Sequence, residues 1–284
     1  MSTVRRNERR YWKIAPGGKG FLWAEQRDSD CIAVGWSDVG PLEKYHNNFE
    51  KGSRFDRNFK KLKYTQSSRQ LIKFYRDVAI GDKVVASSGK YIYGIGEISR
   101  NYRFNEDLEY SHSKPVNWAY VFWEPLDITE LNFNDSLTKR LNLQRTILEL
   151  SEEEWDKIEK RVKSVKSPFK NRTEWKGMLR SPVYEHEVII LFSKISEYLG
   201  MKIEVASPSF PDALLRLKKG KKWIYRRAEF EINSANFVSH KHLESMRKGK
   251  KCDMIICWKH DWKRIPKKLQ VIELRKKLEK ILTR

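Results

Sequence analysis

The stretch 207–233, SPSFPDALLRLKKGKKWIYRRAEFEIN, decides how the second half of this chain folds. Two runs suited to strands flank Lys219-Gly220, so it reads as a β-hairpin. Asp212 stands early on the first strand and Glu229 follows seventeen residues later on the second, so the two meet across the hairpin. Side chains on a strand alternate in direction, so Glu229 and Glu231 share one face and Phe230 turns to the other. Three carboxylates thus converge on one edge of a sheet. Like charges that close do not all stay ionised without a cation, and hard oxygen ligands suit Mg²⁺ or Mn²⁺. Such a cation polarises a scissile phosphate, activates a water and shields the leaving oxygen.

Working outward, VYEHEVIILFSKISEYLG reads as an amphipathic helix closed by Gly200, and MKIEVAS as a strand. Beyond the hairpin, CDMIICWKHDW holds a buried strand, and KLQVIELRKKLEKIL a short strand passing into a final helix. Helix, three strands, a helical or loop segment and a further strand make an α/β order with a mixed sheet. His240-Lys241-His242, Cys252, Cys257 and His260 are metal-friendly side chains, but their spacing fits no closed tetrahedral zinc site. Within an apolar strand, Cys252 and Cys257 are expected to face opposite sides. The histidines therefore read as surface-loop residues or phosphate contacts.

Charge supports a polyanionic partner. The net charge is +21 over 284 residues. Residues 1–160 hold 27 Lys+Arg against 24 Asp+Glu, while residues 161–284 hold 31 against 13. A surface that basic attracts nucleic acid through counterion release. Lys221, Lys222, Arg226, His240 and His242 are the expected phosphate contacts. No run of eighteen apolar residues exists, and the basic start MSTVRRNERRYW has no apolar stretch behind it, so a cytoplasmic protein without a membrane span is expected. Three cysteines, Cys31, Cys252 and Cys257, are odd in number and fit no disulfide framework.

The first half follows another grammar. YWKIAPGG, CIAVGW, KVVASS, YIYGIGEI and WAYVFWEP are β-rich runs bounded by Gly, Pro or Ser. SSRQLIKFYRDV has Leu71, Ile72, Tyr75 and Val78 at helical spacing, capped by Ser67 or Ser68. SEEEWDKIEKRV starts a helix at Ser151, with acids in its first turn. The polar, basic stretch 164–178 reads as a linker. Gly94 and Gly96 permit close approach of a backbone or ligand.

Pro211-Asp212 with Glu229-Phe230-Glu231 resembles the PD-(D/E)XK signature of restriction enzymes and repair nucleases, over about residues 180–284. The resemblance implies that Asp212 and Glu229 hold the metal and that Glu187, on the preceding helix, is aimed at it. The third position, usually Lys, is Glu231 here, which leaves general base and second metal ligand both open. The order CIAVGW, helix, GDKVVA, YGIGEI and VNWAYVFWEP resembles the PUA-like group that includes EVE and YTH domains, over about residues 10–160. That group binds a modified base in an aromatic cage. Trp36 sits where a cage Trp is expected, with Tyr102, Phe104 and Tyr110 from the loop 99–117, and Trp23, as further walls.

The sequence thus predicts two domains: residues 1–163, a PUA-like mixed β-barrel with helices (α+β), and residues 179–284, an α/β restriction-endonuclease-like fold, joined by 164–178. The function expected is a metal-dependent endonuclease cutting double-stranded DNA that carries a methylated base. Cutting both strands favours a homodimer, although no residue pattern demonstrates one. Two alternatives stand: a non-catalytic reader of modified RNA or DNA, and a repair nuclease without modification preference.

Overall fold

The computed structural model describes residues 8–64, 68–165, 175–220 and 222–282. The chain divides into two compact units, Met1–Lys170 and Asn171–Arg284. Of the expected linker, Ser164 belongs to the last helix of the first unit, and Trp175 packs edge-on against Trp258 inside the second. Residues 166–174, like Ser67 and Lys221, lie outside the described residues.

The first unit is built on strands β1 (Tyr11–Ile14), β2 (Cys31–Val34), β3 (Lys83–Ser88), β4 (Tyr91–Ile98), β5 (Arg103–Phe104), β6 (His112–Asp127) and β7 (Ile147–Leu150). They order as β2-β6-β4-β3-β1-β7, with β5 paired to β6, in one curled half-barrel sheet. All pairs are antiparallel except β1 with β3. Curling has a local cause: the register of β4 against β6 slips at two places, beside Gly94 and Gly96, and bulges bend and twist a strand. A Cβ on Gly96 would stand 2.6 Å from the Asn117 carbonyl, and one on Gly94 would stand 2.8 Å from the Trp23 ring. The close neighbours that these glycines admit are the adjacent strand and a core tryptophan.

Both faces of this sheet are buried. On one, Trp12, Ile14, Val84 and Ala86 pack with helices α1 (Trp23–Asp28), α2 (Arg54–Lys61) and α3 (Ser68–Arg76). On the other, Val85, Ile95, Leu148 and Leu150 pack with α4 (Asp135–Asn142) and α5 (Glu152–Ser164). That two-sided burial explains why Val84, Val85 and Ala86 are apolar in succession rather than alternating with polar residues. Ser151 caps α5 reciprocally: its Oγ accepts from Glu154 N at 3.1 Å, and Glu154 Oε2 accepts from Ser151 N at 2.9 Å.

The second unit runs α6 (Glu185–Ile195), β8 (Met201–Ala206), β9 (Ala213–Lys219), β10 (Lys222–Asn233), α7 (Asn236–Ser239), α8 (His242–Arg247), β11 (Met254–Lys259), β12 (Gln270–Glu273) and α9 (Leu274–Leu282). Its sheet has the order β12-β11-β10-β9-β8. The meander β8-β9-β10 is antiparallel, and β10, β11 and β12 are parallel, giving a mixed sheet. The β9-β10 hairpin closes on the pair Lys219 and Lys222, with Gly220 in the left-handed region at φ 61°. Phe230 turns toward α6 and meets Phe192 edge-on at 5.3 Å. The opposite face carries Ile255 and Cys257, covered by Phe237 of α7 and by Leu243 and Met246 of α8. Cys252 precedes β11 and joins this same core cluster, so the two cysteines do not face apart as expected of a single long strand. All three cysteines are buried and unbridged. Among the described residues, no helix is long and apolar enough to cross a membrane.

Candidate metal centre and base pocket

Strand register brings the first group together. Ala213 pairs with Ala228, so Asp212, one residue earlier, lies beside Glu229. The two are stitched reciprocally: Asp212 N donates to Glu229 Oε2 at 3.0 Å, and Phe230 N donates to Asp212 Oδ2 at 2.8 Å. Glu231 follows on the same face of β10, the central strand rather than an edge of the sheet. Its side chain is 1% exposed, and the buried Oε2 atom meets no N–H or hydroxyl donor among the described residues, with the Glu185 carboxyl beside it.

Two histidines complete the cluster. His242 Nε2 lies 2.9 Å from Glu229 Oε1 and 3.5 Å from Glu231 Oε1, and His240 Nδ1 lies 3.2 Å from Glu231 Oε1. His240 ends α7 and His242 opens α8, with Lys241 between them at φ 60°. That left-handed residue turns the chain so that both rings face the carboxylates. Phe210 stacks on the His242 ring at 4.4 Å and 8°, which fixes its plane. From the sequence both histidines read as surface-loop residues or phosphate contacts; the structure sets them against Glu229 and Glu231.

The helix acid also differs from expectation. Glu187 is fully engaged elsewhere: Arg180 grips it with two nitrogens, at 2.6 and 3.1 Å, and its Oε2 accepts from Val183 N and Tyr184 N. It serves the start of α6, not the cluster. Glu185 faces the cluster instead, with Oε1 3.7 Å from His240 Nδ1. Residues two apart on a helix point about 200° apart, so only one of the two acids can look inward. Lys222 and Arg226 lie on regular strand at even positions, opposite the face of Glu229 and Glu231, and Arg226 Nη1 donates to the Tyr225 carbonyl. Lys250, which the sequence reading passed over, stands near Glu229 and His242 and reaches over the Phe210 ring at 6.0 Å.

The electrostatics follow from this crowding. Burial, then the Asp212 charge, pushes Glu229 up to about 8, and burial, then the Glu185 charge, pushes Glu231 up to about 10. Burial also raises Asp212, and burial followed by the His240 charge lowers His242. Glu231, His240 and His242 each offer a ligand atom, all within 4.8 Å of one another. With the buried carboxyl of Glu231 short of donors, this set fits a divalent cation.

The second group lies in the first unit. A cavity of about 590 Å³ is lined by Trp36, Tyr64 and Tyr110, with Lys13, Lys19 and Arg145 among its polar walls. That volume is typical of a small-ligand site. Trp36 is 6% exposed and its backbone is left-handed at φ 73°, a conformation costing a non-glycine residue about 1 kcal/mol or more. Its carbonyl lies 3.0 Å from His112 Nε2, and His112 Nδ1 lies 2.7 Å from Tyr102 Oη. A carbonyl only accepts, so Nε2 carries the proton and Nδ1 accepts from Tyr102. Burial lowers His112 to about 4, which keeps the ring neutral near pH 7.

Trp36 and Tyr110 therefore line the cavity. The other expected cage residues have different surroundings. Tyr102 packs against Tyr75 and holds His112, and Phe104 lies edge-on to His112. Trp23 is a core residue, edge-on to Trp118 at 5.0 Å. Tyr64 lines the cavity and was not foreseen; its hydroxyl donates to Asp38 at 2.9 Å.

Residues 12–151, just under half of the chain, match the family model described as "Domain of unknown function (DUF8426)". No curated protein matches the chain. Among solved structures, it is similar to the protein Rpa0253 of Rhodopseudomonas palustris (14% identity, 54% of this chain, 93% of that chain, TM-score 0.33). It is similar to the YTH domain of Zygosaccharomyces rouxii MRB1, solved with N6-methyladenosine RNA (16%, 57%, 92%, 0.34). It is also similar to Atu2648 of Agrobacterium tumefaciens (15%, 56%, 96%, 0.31). At these TM-scores the likeness is weak and establishes no shared fold.

Proposed function

We propose that this chain is a metal-dependent endonuclease of the PD-(D/E)XK type, acting on DNA whose modified base is read by a PUA-like first unit. The observation that carries the reading is that Asp212, just before β9, and Glu185, on α6, converge with Glu229 and Glu231 of the central strand of a mixed sheet. The order α6-β8-β9-β10-α7-α8-β11 supports the nuclease assignment, and so does the excess of 31 basic over 13 acidic residues in 161–284.

A divalent cation, Mg²⁺ or Mn²⁺ by the sequence expectation, would be held by these carboxylates and supply Lewis-acid polarisation of the phosphodiester. Asp212 and Glu229 present oxygens fixed by backbone N–H groups, so neither swings away when substrate arrives. Lys250 brings positive charge to the same side, where the family's usual lysine is replaced by Glu231. In the first unit, Trp36, Tyr64 and Tyr110 offer aromatic faces to a base taken out of its stack. Tyr102 and His112 hold the Trp36 carbonyl and so orient that wall.

The test is cleavage of methylated and unmethylated plasmid by the full chain with Mg²⁺ or Mn²⁺, read on a gel. The expected result is cutting of the methylated plasmid, abolished by Asp212→Ala and by Glu229→Ala. Cutting retained in folded Asp212→Ala refutes the catalytic site. Equal cutting of both plasmids refutes the modification reading and favours a repair nuclease.

A further inference from the structure

The histidine pair is the part of the centre that the carboxylate signature does not account for. His240 Nδ1 and His242 Nε2 approach the same oxygen, Glu231 Oε1, at 3.2 and 3.5 Å. The His242 ring is fixed by packing, and the His240 ring, 44% exposed, is placed by the backbone that carries it. His242 is clamped by the Phe210 ring and touches Phe237 at 5.2 Å, with its own side chain 14% exposed. His240 N donates to the Asn236 carbonyl at 2.8 Å, ending α7 in register, before left-handed Lys241 redirects the chain. The second, independent observation is Glu231 itself, whose side chain is buried to 1% exposure and whose Oε2 meets no N–H or hydroxyl donor among the described residues, with the Glu185 carboxyl as its side-chain neighbour. A buried carboxylate set against a second carboxyl costs free energy, and a bound cation relieves it.

We propose that Glu231, His240 Nδ1 and His242 Nε2 bind one first-row transition-metal dication in preference to Mg²⁺. The reason is ligand chemistry. Mg²⁺ selects oxygen ligands and holds its waters, whereas imidazole nitrogens suit Zn²⁺, Co²⁺, Ni²⁺ and Fe²⁺. Two nitrogens and one carboxylate leave further coordination positions free, and Glu229 Oε1, 2.9 Å from His242 Nε2, stands next to them. The assignment rests on reading this cluster as a metal centre, and it does not require cleavage.

The full-length chain, stripped with chelator, is titrated with Co²⁺, Zn²⁺ and Mg²⁺ by calorimetry, with Co²⁺ also followed by its visible absorption. One Co²⁺ binds per chain, at least about tenfold tighter than Mg²⁺. The double variant His240→Ala/His242→Ala loses about 100-fold or more in Co²⁺ affinity, and His46→Ala in the first unit leaves it unchanged. X-ray absorption of the Zn²⁺-loaded wild-type chain reads the ligands without any variant, and two imidazole nitrogens are expected. An all-oxygen shell, Mg²⁺ binding as tight as Co²⁺, or unchanged Co²⁺ affinity in the folded double variant overturns the assignment. Tight, histidine-dependent binding without cleavage of any DNA counts against the nuclease and leaves the metal centre standing. Full Mg²⁺-driven cleavage by the double variant does the reverse.

Discussion

Replacing Glu229 by Gln should flatten the pH dependence of stability of the second unit in metal-free protein. The ordinary carboxyl value is about 4.5, and burial together with the Asp212 charge raises Glu229 to about 8 in the folded chain. Between those values the folded carboxyl keeps its proton while the unfolded one has lost it. The unfolded state thus binds fewer protons, and stability falls as pH rises, by up to about 1.4 kcal/mol per pH unit. The favourable contribution is whole below pH 4.5 and gone above pH 8. Integrated across the window, the ceiling is about 5 kcal/mol. Solvent reaches the cluster past His240 and Glu185, whose side chains are 44% and 42% exposed, so screening reduces this to about 2 kcal/mol. Glutamine stays neutral and still accepts from Asp212 N. The assay is thermal unfolding of the full chain in EDTA at pH 5.0, 6.5 and 8.0, following the fluorescence transition that carries Trp175, Trp258 and Trp262. At pH 8 the variant should melt about 8 °C or more above wild type, and at pH 5 the two should nearly coincide. Added divalent cation should invert the order, raising wild type and not the variant. A wild-type second unit that gains stability from pH 5 to pH 8 in EDTA, or an equally steep variant, would refute the reasoning.

Two further outcomes follow from the side-chain assignments. Glu187→Ala should cost about 1–2 kcal/mol of stability, because Arg180 and two backbone N–H groups lose their acceptor, while calorimetric metal affinity stays at the wild-type value; a lost metal site would restore Glu187 as a ligand. Trp36→Ala should lower affinity for methylated oligonucleotide by roughly tenfold and leave unmethylated binding unchanged, since one stacking wall is worth about 1–3 kcal/mol; parallel loss of both affinities with a lower melting temperature would make Trp36 a core residue only.

How much of this was legible depends on the range of the interaction. Alternation along a strand is a property of the backbone, so 207–233 determined that Glu229 and Glu231 share a face and that Asp212 sits across from Glu229. Ser151 and its acids likewise mark the start of α5, because a capping box is closed within four residues. The carboxylates of the candidate centre were readable for the same reason. What local pattern could not decide was which partner each side chain finds. Glu185 and Glu187 are equivalent in sequence, and Arg180 with two backbone N–H groups decides that Glu187 caps α6 and Glu185 looks at the cluster. His240 and His242 looked like loop residues until the left-handed turn at Lys241 and the Phe210 ring aimed them at Glu231. In the first unit, aromatic density announced a core and a pocket together. Only packing separated Trp23, Tyr102 and Phe104, which hold other residues, from Trp36, Tyr64 and Tyr110, which line the cavity. Sequence determined periodicity, charge and local caps because these act between near neighbours; the tertiary structure decided the pocket walls because those depend on contacts between residues 26 to 76 apart, and the metal-ligand set because an irregular turn at Lys241, not a strand or helix period, brings His240 and His242 back onto Glu231.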